Sequence, residues 1–421
     1  MLKSLFKKFK KTIVFKTIQK TIPYRALRKV YRACRKQIRR MYRYEMLRKH
    51  YPKLYNKYVA RPVNEKKVVF IEVRESKISD SFSLMYKKVQ EEHKYEIHTH
   101  FLRSGFSKRK DYQHACEAMI TDIADAKYIF LNESSDVIAS LPMRKETIVT
   151  QLWHGCGAFK KFGMSTAELI FGDDRKTLEK YPYHGNYTYV TVSSPEVVWA
   201  YEEAMSLQDK KGVVVPTGIS RSDIFYDEEA KKAAQEKLLS VVLQAKGKKV
   251  ILYAPTFRGR VAKAKTPNQL DIAAFGDALG KDYILLFKLH PFVKKRTAIP
   301  EGYEDFAFDL TDDMSIEELL FVADICISDY SSLVFEYSLF EKPMIFFAFD
   351  LDNYYDWRGF YYDYKDFVPG PIHTTTEEMI EYIQHVDERF DKKKVQEFRQ
   401  KFMSACDGHA TERIMKMMFG E

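Results

Sequence analysis

From position 67 onward the chain alternates between two patterns. Short runs dense in Val, Ile, Phe and Tyr are followed by longer stretches whose apolar residues recur every three or four positions. The short runs read as strands covered on both faces, and the longer stretches as amphipathic helices. Strands are predicted over 67–73, 95–102, 127–131, 147–152, 187–192 and 212–216, then over 249–253, 283–288, 325–328 and 343–347. Strand and helix in alternation predict two parallel, doubly wound α/β sheets. A polar stretch rich in alanine and lysine, residues 227–248, separates the two series. Three regions are therefore expected: 1–61, 62–235 and 236–421. Ligands in such sheets sit beyond the carboxyl ends of the strands.

The first sixty residues follow a different pattern. Leu2, Leu5, Phe6, Phe9, Ile13, Phe15 and Ile18 keep helical spacing. After Pro23 the pattern resumes with Leu27, Val30, Tyr31, Cys34, Ile38 and Met41. This segment holds 20 Lys and Arg against one acid, Glu45, while the remaining 361 residues carry a net charge of −8. Two basic amphipathic helices are predicted. Fully polar basic arms bind nucleic acid, but an apolar face beside the charge suits an anionic membrane surface. The alternative is that the apolar face docks on the body as core.

At 421 residues and 45% apolar content the chain can build two cores, and 14% aromatic residues argue against disorder. No run of eighteen apolar residues exists, so no membrane-spanning helix is expected. Five scattered cysteines without a CxxC pair fit reduced thiols and exclude a cysteine zinc site. The absence of GxxxxGK[ST], HExxH and GxSxG argues against a P-loop enzyme, a zincin and a Ser/His/Asp hydrolase, and no motif calls for a metal or cofactor.

Five polar motifs fall at predicted strand ends. Trp153-His154-Gly155-Cys156-Gly157 follows the fourth strand and leads to Lys160 and Lys161. A histidine there suits a general base, the glycines admit a ligand closely, and the lysines can hold an anion. Ala254-Pro255-Thr256-Phe257-Arg258-Gly259 offers a guanidinium fork for phosphate. Lys288-Leu289-His290-Pro291 places a second histidine at a strand end. Ser328-Asp329-Tyr330-Ser331-Ser332, running on to Glu336, puts serines at a helix start, where free N–H groups favour phosphate. Last comes a long aromatic loop, 354–363, with Arg358 as a further phosphate candidate, closing on Pro369-Gly370-Pro371. Each motif alone also reads as an ordinary turn or cap.

Together, in this order, the motifs resemble the CDP-glycerol glycerophosphotransferase family, the teichoic acid primases and polymerases, over roughly residues 141–371. The resemblance implies a GT-B-type fold, two Rossmann-like domains facing a cleft, with 62–235 on the acceptor side and 236–421 holding the CDP-donor. It implies transfer of glycerol- or ribitol-phosphate from a CDP-polyol to a lipid-linked polyprenyl-diphosphate acceptor by a peripheral enzyme at the cytoplasmic membrane face. By position, His154 matches the catalytic base and His290 the histidine at the donor phosphates. Thr256, Arg258, Ser331, Ser332 and Arg358 match donor or phosphate contacts. Asp329 and Glu336 lie in the donor motif, with Glu336 placed for the ribose or base. Gly155, Lys160 and Lys161 fall on the acceptor side. Two departures stand out. Cys156-Gly157 replaces a frequent Thr-Pro, and Gly218-Ile219-Ser220-Arg221-Ser222-Asp223 replaces a frequent Gly-x-Pro-Arg-x-Asp turn. A GT-B glycosyltransferase and a non-catalytic binding protein are the rival readings. Glycerol versus ribitol, single versus repeated addition, and oligomeric state are not legible.

Overall fold

The structure is a computed structural model that describes residues 22–170, 172–259, 264–352, 354 and 359–420. Two six-stranded parallel sheets form the body. The first holds β1 (Asn64–Glu72), β2 (Glu96–Phe101), β3 (Ala126–Leu131), β4 (Ile148–Gln151), β5 (Tyr189–Thr191) and β6 (Val214–Val215), in the order β2-β1-β3-β4-β5-β6. The second holds β7 (Lys249–Tyr253), β8 (Tyr283–Phe287), β9 (Ala307–Asp309), β10 (Ile325–Ser328), β11 (Met344–Phe347) and β12 (Ile372–His373), in the order β12-β11-β10-β7-β8-β9. All ten expected strands are present. The two unforeseen ones, β9 and β12, are edge strands of three and two residues, too short to show a period.

Helices cover both faces, so the inner strands carry continuous apolar runs at their centres. Val68, Val69, Phe70 and Ile71 of β1 are fully buried, as are Ile284, Leu285 and Leu286 of β8. Each such side chain contributes roughly 1.5–3 kcal/mol by leaving water. The second sheet reverses direction between β7 and β10. At that switch the turn after β7 carries Thr256 and Arg258, and the turn after β10 carries Asp329, Ser331 and Ser332. Parallel α/β sheets open their ligand crevice at such a point.

The helix Glu228–Val241 links the sheets, its start fixed by Asp227, whose carboxylate accepts from the N–H groups of Glu229 and Ala230. The chain also returns. Its last helix, Ala410–Phe419, buries Ile414, Met415 and Met418 against Val68, Phe70 and Phe82 of the first unit. Residues 410–419 thus pack with the first sheet rather than the second.

The basic leader divides in the same way. Positions 2–18 lie outside the described residues. A helix Ile22–Glu45 continues through a wider turn, Met46–His50, into Tyr51–Tyr58. Pro23 sits in its first turn, where its missing N–H costs nothing. Met46, Leu47, Tyr51 and Tyr55 are buried in the main core, and Arg144 donates to the carbonyls of Val59 and Arg61. The far half of the leader is therefore core. Residues 29–41 are exposed on every side, with Val30, Tyr31, Ile38 and Met41 each more than half accessible.

Candidate active site

His154 is presented by a strained turn. Trp153 adopts a left-handed conformation, φ 61°, which costs a non-glycine residue roughly 1–2 kcal/mol. The Gln151 side chain offsets that cost. Its carbonyl accepts from the Trp153 N–H at 3.1 Å, and its amide donates to the Glu133 carbonyl at 3.0 Å and to Tyr187 Oη at 3.3 Å. The turn leaves the His154 side chain 44% exposed. Its Nδ1 lies 2.9 Å from the backbone carbonyl of Asn132. A carbonyl only accepts, so Nδ1 carries the proton and Nε2 keeps its lone pair. No described group occupies Nε2. Glu133 stands 4.0 Å from Nδ1. Behind Trp153 lies His184, buried; burial first, and then the proximity of His154, push it down to about 3, so it stays neutral.

The turn rests on the second unit. A Cβ built on Gly155 would lie 3.7 Å from Ser332 Oγ, and one on Gly157 would fall 2.2 Å from the Phe335 ring. Three residues on, Lys160 pairs with Phe360 in an antiparallel bridge. The Lys161 N–H donates to the Gly359 carbonyl, and that of Tyr361 to the Phe159 carbonyl, both at 3.1 Å. Phe159 packs on Phe360 and Phe367 at 5.1 and 5.0 Å. The first, fourth and fifth motifs are thereby stitched together.

His290 joins them. Its ring lies against Phe257 and Phe292, and its Nδ1 accepts from the Phe292 N–H at 3.2 Å. Burial, and then the charge of Lys160, hold its pKa below the usual imidazole range. A neutral ring accepting at Nδ1 must carry its proton on Nε2, ready to donate. Ser331 and Ser332 are half-buried at the start of the helix Leu333–Ser338, and Ser332, its N-cap, makes no capping bond with its side chain. On the turn after β7, Thr256, whose N–H donates to Asp329, carries a buried hydroxyl that has no partner.

Three expectations change. Arg258 is not an open phosphate fork. Its Nε and Nη2 donate to Asp350 at 2.6 and 2.9 Å, and its Nη1 to Asp329 at 2.9 Å and to the Thr256 carbonyl at 2.5 Å. Four of its five N–H groups are engaged, and two carboxylates balance its charge. Asp329 is 2% exposed and accepts from the backbone N–H groups of Thr256 and Tyr330, so it shapes the crevice instead of lining it. Glu336, expected at the ribose or base, is 4% exposed and lies under Cys156, where burial raises its pKa. Arg358 lies outside the described residues.

Several residues at the site carry no sequence signal of their own. Asn132, Gln151 and His184 act through backbone, amide and ring contacts that no motif announces. Asp350 follows β11 as one acid among many. Arg221 stood out only as part of a departing turn, yet it donates to the His154 carbonyl at 2.7 Å.

Two parallel α/β units, with the His154 turn of one resting on the Ser332 helix start of the other, have the architecture of a two-domain group transferase. Residues 53–420 match the family described as CDP-Glycerol:Poly(glycerophosphate) glycerophosphotransferase, and the chain belongs to that family. It is a polyol-phosphate transferase. It is 36% identical to the teichoic acid ribitol-phosphate primase of Bacillus spizizenii over 84% of this chain and 90% of the relative. It is 37% identical to the teichoic acid poly(ribitol-phosphate) polymerase of the same organism, over 86% of this chain and 57% of that protein. The solved structure of the wall teichoic acid polymerase TagF superposes with a TM-score of 0.72 at 22% identity, covering 91% of this chain and 97% of that one, a shared GT-B-like fold.

Proposed function

We propose that this enzyme transfers ribitol phosphate from CDP-ribitol to a hydroxyl of a lipid-linked teichoic acid intermediate, with His154 as general base. The observation that carries the chemistry is the unpartnered Nε2 of His154, with its tautomer set by Asn132, in a loop packed against the Ser332 helix start. The acceptor hydroxyl gives its proton to Nε2. Its oxygen bonds to the β-phosphorus of the donor, and the bond from that phosphorus to the bridging oxygen breaks. The electron pair leaves with CMP, and a phosphodiester remains. Nε2–H of His290, the Thr256 hydroxyl and the N–H groups near Ser331 and Ser332 stabilise charge on the transferred phosphoryl group. Ribitol is favoured over glycerol by likeness: the ribitol-phosphate relatives are 35–37% identical, whereas the glycerol-phosphate primase of Bacillus subtilis is 30% identical.

The exposed helix serves the acceptor. Ile22–Glu45 holds nine Lys and Arg against one Glu, and Val30, Tyr31, Ile38 and Met41 stand out in solvent. Such a surface suits the headgroup layer of an anionic membrane, where each basic residue contributes roughly 1 kcal/mol. No described helix is long and apolar enough to cross a membrane. With the basic exposed helix as its contact, the proposal is a peripheral enzyme on the cytoplasmic membrane face.

A donor screen tests the reading. The full chain is supplied with a lipid-linked acceptor analogue and with CDP-ribitol, CDP-glycerol or UDP-sugars, and nucleotide release is followed. Acceptor-dependent CMP release from CDP-ribitol is expected. CMP from CDP-glycerol alone would reverse the choice of polyol, and UDP alone would replace the reading with sugar transfer.

A further inference from the structure

The turn 218–223, which departs from the family pattern, meets three parts of the molecule at once. Gly218, at φ 87°, runs so close to the Ala405 carbonyl that a Cβ would fall 2.1 Å from it. Asp223 receives the N–H groups of Ala410 and Thr411, anchoring the returning helix. Between them Arg221 reaches the catalytic loop. Its Nη1 donates to the His154 carbonyl at 2.7 Å, and its Nη2 pairs closely with Glu317. Glu317 belongs to the helix Ile316–Val322, which follows β9 in the second unit and starts in a capping box of Ser315 and Glu318. The guanidinium therefore ties the backbone of the base, on one unit, to a carboxylate on the other.

The surroundings make this tie hard to replace. The Arg221 side chain is only 15% exposed. Burial opposes its charge, but Glu317 and Glu336 outweigh that and hold its pKa above the ordinary value. Its Nε and the Oε2 of Glu336 are both buried without a partner. Lys237 pairs with Glu318 next door, so it does not substitute for Arg221 at Glu317. Loss of Arg221 would leave the His154 carbonyl without this donor and Glu317 without its cation.

We propose that Arg221 is a positioning residue for the reaction, and that its pair with Glu317 sets the His154 turn relative to the donor-binding unit. The proposal rests on the reading of His154 as base. Arg221 touches neither substrate nor the transferred group. It fixes where Nε2 stands when the phosphoryl group arrives on the opposite unit. A displacement near 1 Å at a reacting group costs about 100-fold in rate, and loss of a residue that orients a catalytic group roughly 10–100-fold.

Full-length Arg221→Ala, Arg221→Lys, Glu317→Ala, Glu317→Gln, the double alanine variant and His154→Ala are compared by turnover, by CDP-ribitol affinity in calorimetry and by thermal unfolding. Arg221→Ala is expected to lower kcat about 10–100-fold with donor Kd within about twofold of the parent. Arg221→Lys recovers part of the loss, since one ammonium can serve one partner. The double variant is no slower than Arg221→Ala, because the two residues act as one unit. If Arg221→Ala does not fold, Glu317→Gln decides: it keeps shape and one acceptor, and a several-fold lower kcat at unchanged melting temperature is expected. Parental kcat in Glu317→Gln and Arg221→Ala, with His154→Ala inactive, overturns the Arg221 proposal alone. Independent, multiplicative effects of the two alanines also overturn it. An active His154→Ala overturns the base reading instead.

Discussion

Gly157 offers the sharpest mechanical test of how the two units meet. Its φ of 65° is one that a side chain adopts at roughly 1–2 kcal/mol. An added Cβ would lie 2.2 Å from Cε1 and Cζ of Phe335, well inside contact distance. That ring cannot retreat: it is fully buried and flanked by Phe367, Phe398 and Phe402 at 5.3–5.8 Å. Nor can the loop slide away cheaply, since Gly157 N–H donates to Ser193 Oγ at 2.9 Å and its carbonyl accepts from Tyr201 at 3.0 Å. Overpacking of this kind costs typically about 1–3 kcal/mol. Gly157→Ala should therefore lose about 2–5 kcal/mol of unfolding free energy in urea, a large share of the 5–15 kcal/mol typical of a protein. It should also lose at least about tenfold in kcat, because His154 is three residues away on the same turn. Gly105→Ala is the control. Gly105 has φ 82° with nothing within 4 Å of its Cβ position, so that variant bears the backbone cost alone. A Gly157→Ala protein as stable as Gly105→Ala, with parental turnover, would refute the packing of the catalytic loop on Phe335.

Two further outcomes follow from single sites. Burial holds Glu336 above the usual carboxylate value, so its contribution to stability is complete below the unfolded value of about 4.3 and is lost as pH rises through the folded one. Glu336→Gln should thus match the parent near pH 4, gain on it as pH rises from the unfolded value to the folded one, and keep a constant lead above that in urea unfolding; a difference independent of pH would mean that burial does not raise the Glu336 carboxyl. On the exposed helix, replacing Val30, Ile38 and Met41 by Ser, or Arg32, Arg35 and Arg39 by Glu, should each release the enzyme from phosphatidylserine-containing vesicles while leaving unfolding unchanged, because these positions face solvent. Retention by both variants would remove this helix as the membrane contact.

The strands were legible because buried parallel strands spell continuous apolar runs, as in Tyr283–Phe287. Only β9 and β12 escaped, being too short to carry a pattern. The motifs were legible as well, since strand ends concentrate polar residues. Their internal roles were not. Arg258 and Asp329 look like ligand residues in sequence, yet they neutralise one another and Asp350 across turns 71 and 92 residues apart. The same holds for Glu336, whose helix turns it inward beneath Cys156. In the leader region two fates meet: Met46 to Tyr55 dock as core, whereas the patterned Val30 to Met41 do not. Helical spacing marks an apolar face but not what covers it.

The central claim is that His154 takes the acceptor proton in a transfer from a CDP-polyol. The most direct test is His154→Ala in the full chain, with CMP release and donor affinity measured on the same preparation. Loss of one base typically costs about 10²–10⁴-fold. Turnover should fall by that amount while CDP-ribitol binding persists, because the proposal assigns the donor to groups other than His154. Turnover within a few-fold of the parent would contradict the account.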